Sequence, residues 1–545
     1  MESFHAPACE PRLWSLPLLE ASRERVLAGD LKSPLKRLLG DADLWLARSR
    51  KSDQLFTVTT KPATPSVTYS CSPHCFYSLG TYWWPNNATP DGLPYVRDDG
   101  LVNPDTFKYD SIPLSQMLFA VSNLSLAYFF TANRSYAAGA AAFVDTFFFN
   151  QETYMDASVG LEHSQAVPGV PNDDAGRGTG IIDAKDIAYA LDSACLLPTD
   201  DPSWGASRTS QLRSWMGQYW GWMNRSHHSV DEFSSTNNHG TWYDVQALSL
   251  ALHLADAPSA DFFAQHILSR ISEQISSTGE LPQETSRTRP LHYTWWDLQA
   301  FFEHAWMAQS HGVPAFNYTS PSGGSLRKAL EWVLPYATGA EPFPEPELTP
   351  FDTGCFFPIL RMAQRVWPEA APKFEAALRQ LPTDGMGYHY SDSPLNLIWP
   401  PLNATTPSAP GTAPLNASTP NAPVTAPLNA STPSAPVTAP LNASTPSAPV
   451  TAPSGPRPTA KASPKPSPMT ALAFAPPLLR RRTGGGGPSC TAEEGTEYLG
   501  NDLAPPMPSA GADECCAACA AMSGCAFFTY EGGADEPRLP RDDLG

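Results

Sequence analysis

Two short segments carry side chains whose types and spacing suit acid–base work on an anion. The first is Ser235–Gln246, read as Ser-Thr-Asn-Asn-His-Gly-Thr-Trp-Tyr-Asp-Val-Gln. The pattern predicts a helix beginning near Thr241, which puts Asn238 and His239 at or just before its N-terminus. Free backbone N–H groups and the helix dipole favour an anion there. The plainer reading makes Asn238 a helix cap and His239 a satisfied histidine. The second segment, Leu281–Tyr293, places Arg287, Arg289, His292 and Tyr293 within seven residues ahead of an aromatic helix. Those groups can neutralise an anion and move a proton, or they form a solvated loop in which an arginine pairs weakly with Glu284. A third stretch, Tyr77–Asn86, sets Tyr77, Tyr82, Trp83 and Trp84 on an irregular loop. Such rings either line a groove against sugar faces, with Arg97 or Arg177 meeting acidic groups, or plug a core.

The elements that must position these residues are helical. Apolar residues recur at three- and four-residue spacing over Ser115–Thr131, Ser135–Phe149, Asp183–Leu197, Ser207–Met223 and Trp242–Leu254. The same spacing continues over Asp261–Ile275, Thr294–Gln309, Leu326–Tyr336, Phe356–Trp367 and Pro372–Leu381. Strand patterns are confined to Phe56–Thr59 and Val67–Ser70. With no Gly-rich phosphate loop and no βαβ alternation, helical hairpins packed round a ring are the expected architecture. The irregular stretch from Lys61 to Lys108 is expected to lie over one end of that ring.

Composition divides the chain of 545 residues further. The chain has 58 prolines, and they are densest after the helical region, where a 13-residue unit of the type APLNASTPSAPVT recurs from Pro400 to Thr451. Each unit carries several prolines and few sizeable apolar side chains, so it reads as an extended, disordered spacer, rich in Ser and Thr. Cys490, Cys515, Cys516, Cys519 and Cys525 then crowd the C-terminus; no histidine accompanies them, which favours disulfides over zinc. The balance of 35 basic against 54 acidic side chains, net −19, argues against a nucleic-acid or anionic-membrane binder. No run reaches the ~18–20 apolar residues of a membrane span. Asn-x-Ser/Thr acceptors at Asn87, Asn123, Asn133, Asn224, Asn317 and in the repeats point to the secretory pathway or the extracellular space. Residues Met1–Asp30 show no apolar signal-peptide core.

Five phrases in order, YSLGTYWWPN (77–86), RDDGLVNPD (97–105), GRGTGIID (176–183), NNHGTWYDVQ (237–246) and LPQETSRTRPLHY (281–293), resemble the alginate lyases of polysaccharide lyase family 5 and their wider relatives. The resemblance implies an all-α fold, an α/α toroid (incomplete α/α barrel) of helical hairpins over residues 11–397. It also implies β-elimination on a uronic-acid polymer, an anionic polysaccharide of which mannuronate-rich alginate is the expected form. Asn238 and Arg287 would neutralise the carboxylate, while His239 and Tyr293 would handle the proton. Tyr77, Tyr82, Trp83, Trp84, Arg97, Arg177, Trp242, Arg289 and His292 would contact substrate. For Tyr293 to act as a base near neutrality, Arg287, Arg289 and His292 would have to lower its pKa. The segment between Arg287 and Tyr293 is one residue shorter than in characterised members, which makes His292 the alternative proton carrier. No Asp/Glu/His cluster at ligand spacing stands beside Asn238 and Arg287, so neither a metal nor another cofactor is expected.

Residues 398–489 form the expected linker. Residues 490–545 resemble a partial PAN/apple module, which implies a small Cys-rich α+β unit with a carbohydrate or protein ligand. Two other readings of the helical region stay open at this stage. One is a non-catalytic carbohydrate-binding or wall-associated relative. The other is a glycoside hydrolase on a similar ring, which would need two facing carboxylates such as Glu284 with Asp244 or Asp183.

Overall fold

The computed structural model describes residues 7, 9–62, 73–381 and 392–402. The strand expected at Val67–Ser70, the repeats and the Cys-rich module lie outside these residues. The chain begins with helices α1 (Leu16–Leu27) and α2 (Lys32–Ser49). Three short strands follow, β1 (Tyr77–Leu79), β2 (Trp83–Trp84) and β3 (Val96–Arg97). Helices α3 (Ser111–Thr131) and α4 (Arg134–Val144, continued by a π turn over Asp145–Phe149) precede β4 (His163–Ala166). From there the chain is helical: α5 (Tyr189–Leu196), α6 (Ala206–Met223), α7 (His227–Phe233), α8 (Asn238–Leu254) and α9 (Ala257–Gln274). Next come α10 (Pro282–Thr285), α11 (Pro290–Ser310), α12 (Leu326–Ala337), α13 (Phe357–Val366), α14 (Ala371–Leu378) and α15 (Leu395–Ile398).

Neighbouring helices pack as hairpins: α3 on α2, α4 and α5, α8 on α9 and α11, α11 on α12, and α13 on α14. This is the expected α/α toroid. Helices α8 and α11 are buried along almost their whole length. Helix α3 is the one described helix long and apolar enough to cross a membrane, yet 67% of its most apolar window is buried inside the protein. Its side chains serve the core.

Local chemistry explains where the two central helices begin. The Asn237 side chain accepts the His239 backbone N–H (3.2 Å), so Asn237, not Asn238, is the cap of α8. Helix α11 opens with Pro290, whose missing N–H costs nothing in a first turn. The Glu347 carboxylate accepts the next two N–H groups, of Leu291 and His292 (2.5 and 3.0 Å).

All ten expected helices are present, with shifted ends. The largest shift is at α5, which starts at Tyr189 because Gly178–Ala184 forms a 3₁₀ segment containing two glycines, poor helix formers. Helices α1, α2 and α7, and the single turns α10 and α15, have no counterpart among the expected ones. Phe56–Thr59 is not a strand. Instead the stretch expected to be irregular contains strands: β1 pairs with β4 in parallel, and β2 pairs with β3 antiparallel, Trp83 opposite Arg97.

Two further differences concern the ends and the surface. Packing runs beyond the expected boundary at Leu397. The Trp399 ring meets Trp306 edge-on (4.8 Å), Arg365 donates to the Pro400 carbonyl, and Arg25 donates to the Pro401 carbonyl (2.8 Å). Of the glycosylation acceptors, Asn87, Asn133, Asn224 and Asn317 are exposed, but Asn123 is buried in α3 with its amide bonded to the Phe119 carbonyl (3.0 Å). The N-terminal segment is tied to the end of α5 by a Cys9–Cys195 disulfide.

A chain ending after Leu402 should therefore melt cooperatively, with the Tm of the helical domain in the full-length protein. Ending after Leu397 removes Trp399 and strands the buried Arg365. That truncation should lose about 3–5 kcal/mol, the usual cost of deleting a buried Trp, as read by urea unfolding of the two truncated proteins.

Candidate active site

The first turn of α8 is held from below by a buried ion pair. Asp244, about one and a half turns along the helix, accepts from Arg270 of α9 (Nε 2.8 Å, Nη2 3.3 Å) and from His266 Nδ1 (2.7 Å). Burial alone would raise the Asp244 pKa, but the bonds from His266 and Arg270 outweigh it and hold the carboxyl below its usual range. The rest of the Arg270 guanidinium donates to the carbonyls of Ser235 (2.6 Å) and Phe233 (2.7 Å), the chain entering α8. Gly240 is required at this crossing, since a Cβ there would overlap the Ser235 oxygen and lie 2.5 Å from Arg270 Nη1.

On that platform Asn238 and His239 each find a buried carboxylate. His239 Nδ1–H donates to Glu232 Oε1 (2.8 Å), a residue of α7, which fixes the ring through that nitrogen and leaves Nε2 clear of the carboxylate. The Asn238 backbone N–H and side-chain Nδ2 both donate to Glu284 Oε1 (2.7 and 2.9 Å), and Nδ2 also reaches Oε2 (3.0 Å). Burial pushes the Glu284 pKa up against the bonds from Asn238, and Arg287 and His239 lie near enough to act on it. Asp297 of α11, fully buried, has its pKa raised by burial and then by Glu284.

Arg287 and Tyr293 meet although the intervening segment is short. The Arg287 guanidinium lies 3.9 Å from the Tyr293 ring centroid and holds Asp99 through two bonds (Nε–Oδ2 3.1 Å, Nη2–Oδ1 2.8 Å). Arg97 adds a third contact to Asp99 (2.6 Å). Thr288 Oγ1 donates to the Asp99 carbonyl (3.0 Å), and a Cβ on Gly100 would overlap that hydroxyl, so only glycine fits where the two segments touch. Tyr293 Oη donates to Tyr82 Oη (2.5 Å). The expectation that cations lower the Tyr293 pKa is overturned. Burial, with Tyr82 beside it, raises the pKa well above the ordinary phenol value, and the Arg287 charge is the weaker influence. Tyr293 is a protonated phenol that can donate.

His292 is not the alternative proton carrier. Burial, then the charges of Arg289 and Arg287, push its pKa down to about 3, so the ring is neutral. It sits among Trp295, Trp296 and Phe351, with its backbone N–H on Glu347. Arg289 is itself buried and caps α11 through its carbonyl, which accepts the Tyr293 N–H (2.9 Å).

The aromatic loop divides. Tyr82, Trp83 and Trp84 are half-buried, and the Arg177 guanidinium lies 5.7 Å from the Trp83 ring centroid. Arg177 is fixed by Gln165 (Nε to the carbonyl and Nη2 to Oε1, both 3.0 Å); Gln165 Nε2 in turn donates to Asp183 (2.9 Å), which also accepts from Ser78. Burial pushes the Asp183 pKa up to about 6. Tyr77 and Trp242, expected to contact substrate, are both fully buried. Tyr77 packs on Tyr109, while Trp242 packs on Trp296 with the Lys185 ammonium 4.7 Å from its ring centroid. The hydrolase reading loses its carboxylates, because Glu284 and Asp244 are buried, Asp183 is half-buried, and all three are bonded to protein donors.

Three functional partners carry little or no signal in the sequence. Glu232 and Gln165 have no telling spacing, since the first sits seven residues before His239 on a helix that was not expected. Asp99 lies 188 residues before Arg287. Only its place in the RDDG phrase marks it.

A toroid with an imidazole–carboxylate pair at the start of α8 and an arginine-backed phenol at the start of α11 has the frame of a polysaccharide lyase, and comparison with known proteins agrees. The sequence profile of the alginate lyase family matches residues 58–343, and that of the PAN domain matches residues 496–538. The chain belongs to the alginate lyase family and is a polysaccharide lyase. A crystal structure of an alginate lyase from Bacteroides ovatus superposes with a TM-score of 0.64 at 29% identity, covering 71% of this chain and 98% of that one. Alginate lyase A1-III from a Sphingomonas species is more distant, with a TM-score of 0.39, 16% identity, and coverage of 63% and 86%. A variant of A1-III complexed with a tetrasaccharide gives a TM-score of 0.45 at 14% identity, covering 74% and 99%. No curated protein sequence matches the chain.

Asp244→Asn tests the platform. It leaves the Arg270 charge buried without its partner and should cost about 3–5 kcal/mol at pH 7. Because the folded-state pKa of Asp244 is depressed, its contribution is present above the unfolded value of ~3.9 and disappears as pH falls through the folded value. The stability gap between wild type and Asp244→Asn, measured by urea unfolding, should thus narrow below about pH 4.

Proposed function

We propose that the protein cleaves a uronic-acid polymer, mannuronate-rich alginate in the first instance, by β-elimination. The observation that carries this reading is the pairing of His239 with Glu232 together with a protonated Tyr293 under Arg287, the two sides meeting at Glu284, on which both His239 and Arg287 act. The two proton-transfer roles then separate. His239 Nε2 removes the C5 proton, and Glu232 holds the tautomer that exposes this nitrogen and steadies the charge that forms. The electron pair from C5–H becomes the C4–C5 double bond, the C4–O4 bond breaks, and Tyr293 Oη delivers its proton to the departing oxygen. Tyr82, half-buried and bonded to Tyr293, returns a proton from solvent.

A proton beside a carboxylate is weakly acidic, so the site must favour the charge that builds on that carboxylate. Arg287 supplies a fixed cation. Asn238 supplies a neutral donor once Glu284 is protonated, for which its raised pKa is suited. Once Glu284 is protonated, the Asn238 amide, which now donates through Nδ2, turns over so that Glu284 donates to Oδ1 and Nδ2 is freed for the substrate. Half-buried Trp83 and Trp84 offer faces for sugar rings, with Arg97 and Arg177 beside them. The Cys9–Cys195 disulfide and the exposed glycosylation acceptors support an extracellular or secretory location. The PAN domain would then hold the enzyme near a carbohydrate or protein ligand.

Digestion of alginate should raise ultraviolet absorbance as the conjugated double bond forms; reducing ends without that absorbance would sink the lyase reading. Tyr293→Phe and His239→Ala should each lower kcat by about 10²–10⁴ with little change in KM. Arg287→Ala should impair both KM and kcat, and His292→Ala should have a much smaller effect than Tyr293→Phe. Glu284→Gln, which can always donate to Asn238, should keep kcat within about tenfold of wild type; a loss like that of a catalytic acid or base would show that the Glu284 charge itself takes part.

A further inference from the structure

We propose that Glu162, His227 and His228 form a binding site for a divalent transition-metal cation, with zinc the cation that the ligand set suits best. One ring nitrogen from each histidine and a carboxylate oxygen of Glu162 lie within 4.8 Å of one another. Zinc sits about 2 Å from imidazole and carboxylate ligands, so small side-chain rotations bring all three onto one ion. Two imidazoles and one carboxylate favour a borderline cation such as zinc over calcium or magnesium, which prefer all-oxygen shells. Three protein ligands leave a fourth, tetrahedral position for water.

The surroundings already orient the ligands. Trp222 Nε1–H donates to Glu162 Oε2 (3.4 Å). His228 Nε2–H donates to the Glu162 carbonyl (3.2 Å), with Glu162 Oε1 3.7 Å away, which leaves His228 Nδ1 as the nitrogen able to take an ion. Ser226 Oγ accepts the His228 backbone N–H (3.1 Å) and fixes the first turn of α7. The two imidazole rings lie with centroids 4.0 Å apart. Supporting bonds of this kind hold metal ligands in register. His228 is buried and its Nδ1 has no protein partner, whereas His227 is exposed and Glu162 is half-buried, so an ion reaches the cluster from solvent.

The placement gives the cation a purpose apart from the elimination chemistry. His228 and Glu232 lie four residues apart on the buried face of α7, and Glu232 holds His239. Glu162 directly precedes β4, whose Gln165 holds Arg177. A bound ion would therefore clamp α7 to β4, joining the two elements that support opposite members of the site.

The test uses metal-stripped full-length protein, titrated with zinc chloride alone and followed by calorimetry and thermal melting at neutral pH. The expected result is one ion bound by this cluster, with a Tm rise of roughly 3–6 °C at a hundredfold excess over Kd. His227→Ala is safe for the fold because the residue is exposed. Glu162→Gln keeps an acceptor for Trp222. Each should remove one equivalent of zinc and the Tm rise, while melting of the metal-free protein stays unchanged. Zinc binding that survives undiminished in both variants, as ions held by the terminal cysteines or other histidines would, overturns the proposal. So does the absence of binding in the wild type.

Discussion

Arg270 reaches from α9 to Asp244 with one edge of its guanidinium and to the Ser235 and Phe233 carbonyls with the rest. Both ionic groups are almost wholly buried, so each is tolerable only in the presence of the other. The constraint reaches well beyond the pair. It sets the path of the chain into α8, forbids any side chain at Gly240, and brings Asn238 and His239 out of the loop at a fixed angle. Glu232 and Glu284 can hold those two side chains only because their helices meet this same turn. An apolar pair of similar volume would pack as well, but it would leave the Ser235 and Phe233 carbonyls without their donors.

Burial governs the site's electrostatics as strongly as pairing does. The protein carries a net charge of −19, unfavourable for meeting a polyanion at long range. The arginines at the site answer this locally. Arg287 is paired with Asp99 and Arg177 is held by Gln165, so each is a positioned cation and not a mobile one. Burial also raises the pKa of Glu284, Asp297 and Asp183, against the bonds that the first and last accept from Asn238, Ser78 and Gln165. The same effect raises Tyr293 and lowers His292. Low polarity thus sorts neighbouring residues into different tasks: a phenol that donates, and beside it in the chain an imidazole that stays neutral and packs with tryptophans.

The ten helices are legible in the amino-acid sequence because their apolar periodicity reflects packing that each helix does on its own face. Asn238, His239, Arg287 and Tyr293 stand out in the sequence because their types, local spacing and family phrases agree, and the structure gives each a partner: Glu284, Glu232, Asp99 and Tyr82 in turn. Tyr77 and Trp242 are misread because a large ring in a polar phrase suits a sugar or a core equally. Only the neighbours Tyr109, Trp296 and Lys185 settle which it meets.

Helical class and the set of side chains able to carry a proton or oppose a carboxylate are local properties, written in periodicity, composition and short phrases. Partnership is not local. Asp99 meets Arg287 across 188 residues, Glu284 meets Asn238 across 46, and Tyr82 meets Tyr293 across 211, and none of these pairs exists until the chain is folded. Protonation states follow the same rule. Desolvation and the sum of nearby charges depend on distances in space, and a linear chain records only distances along itself.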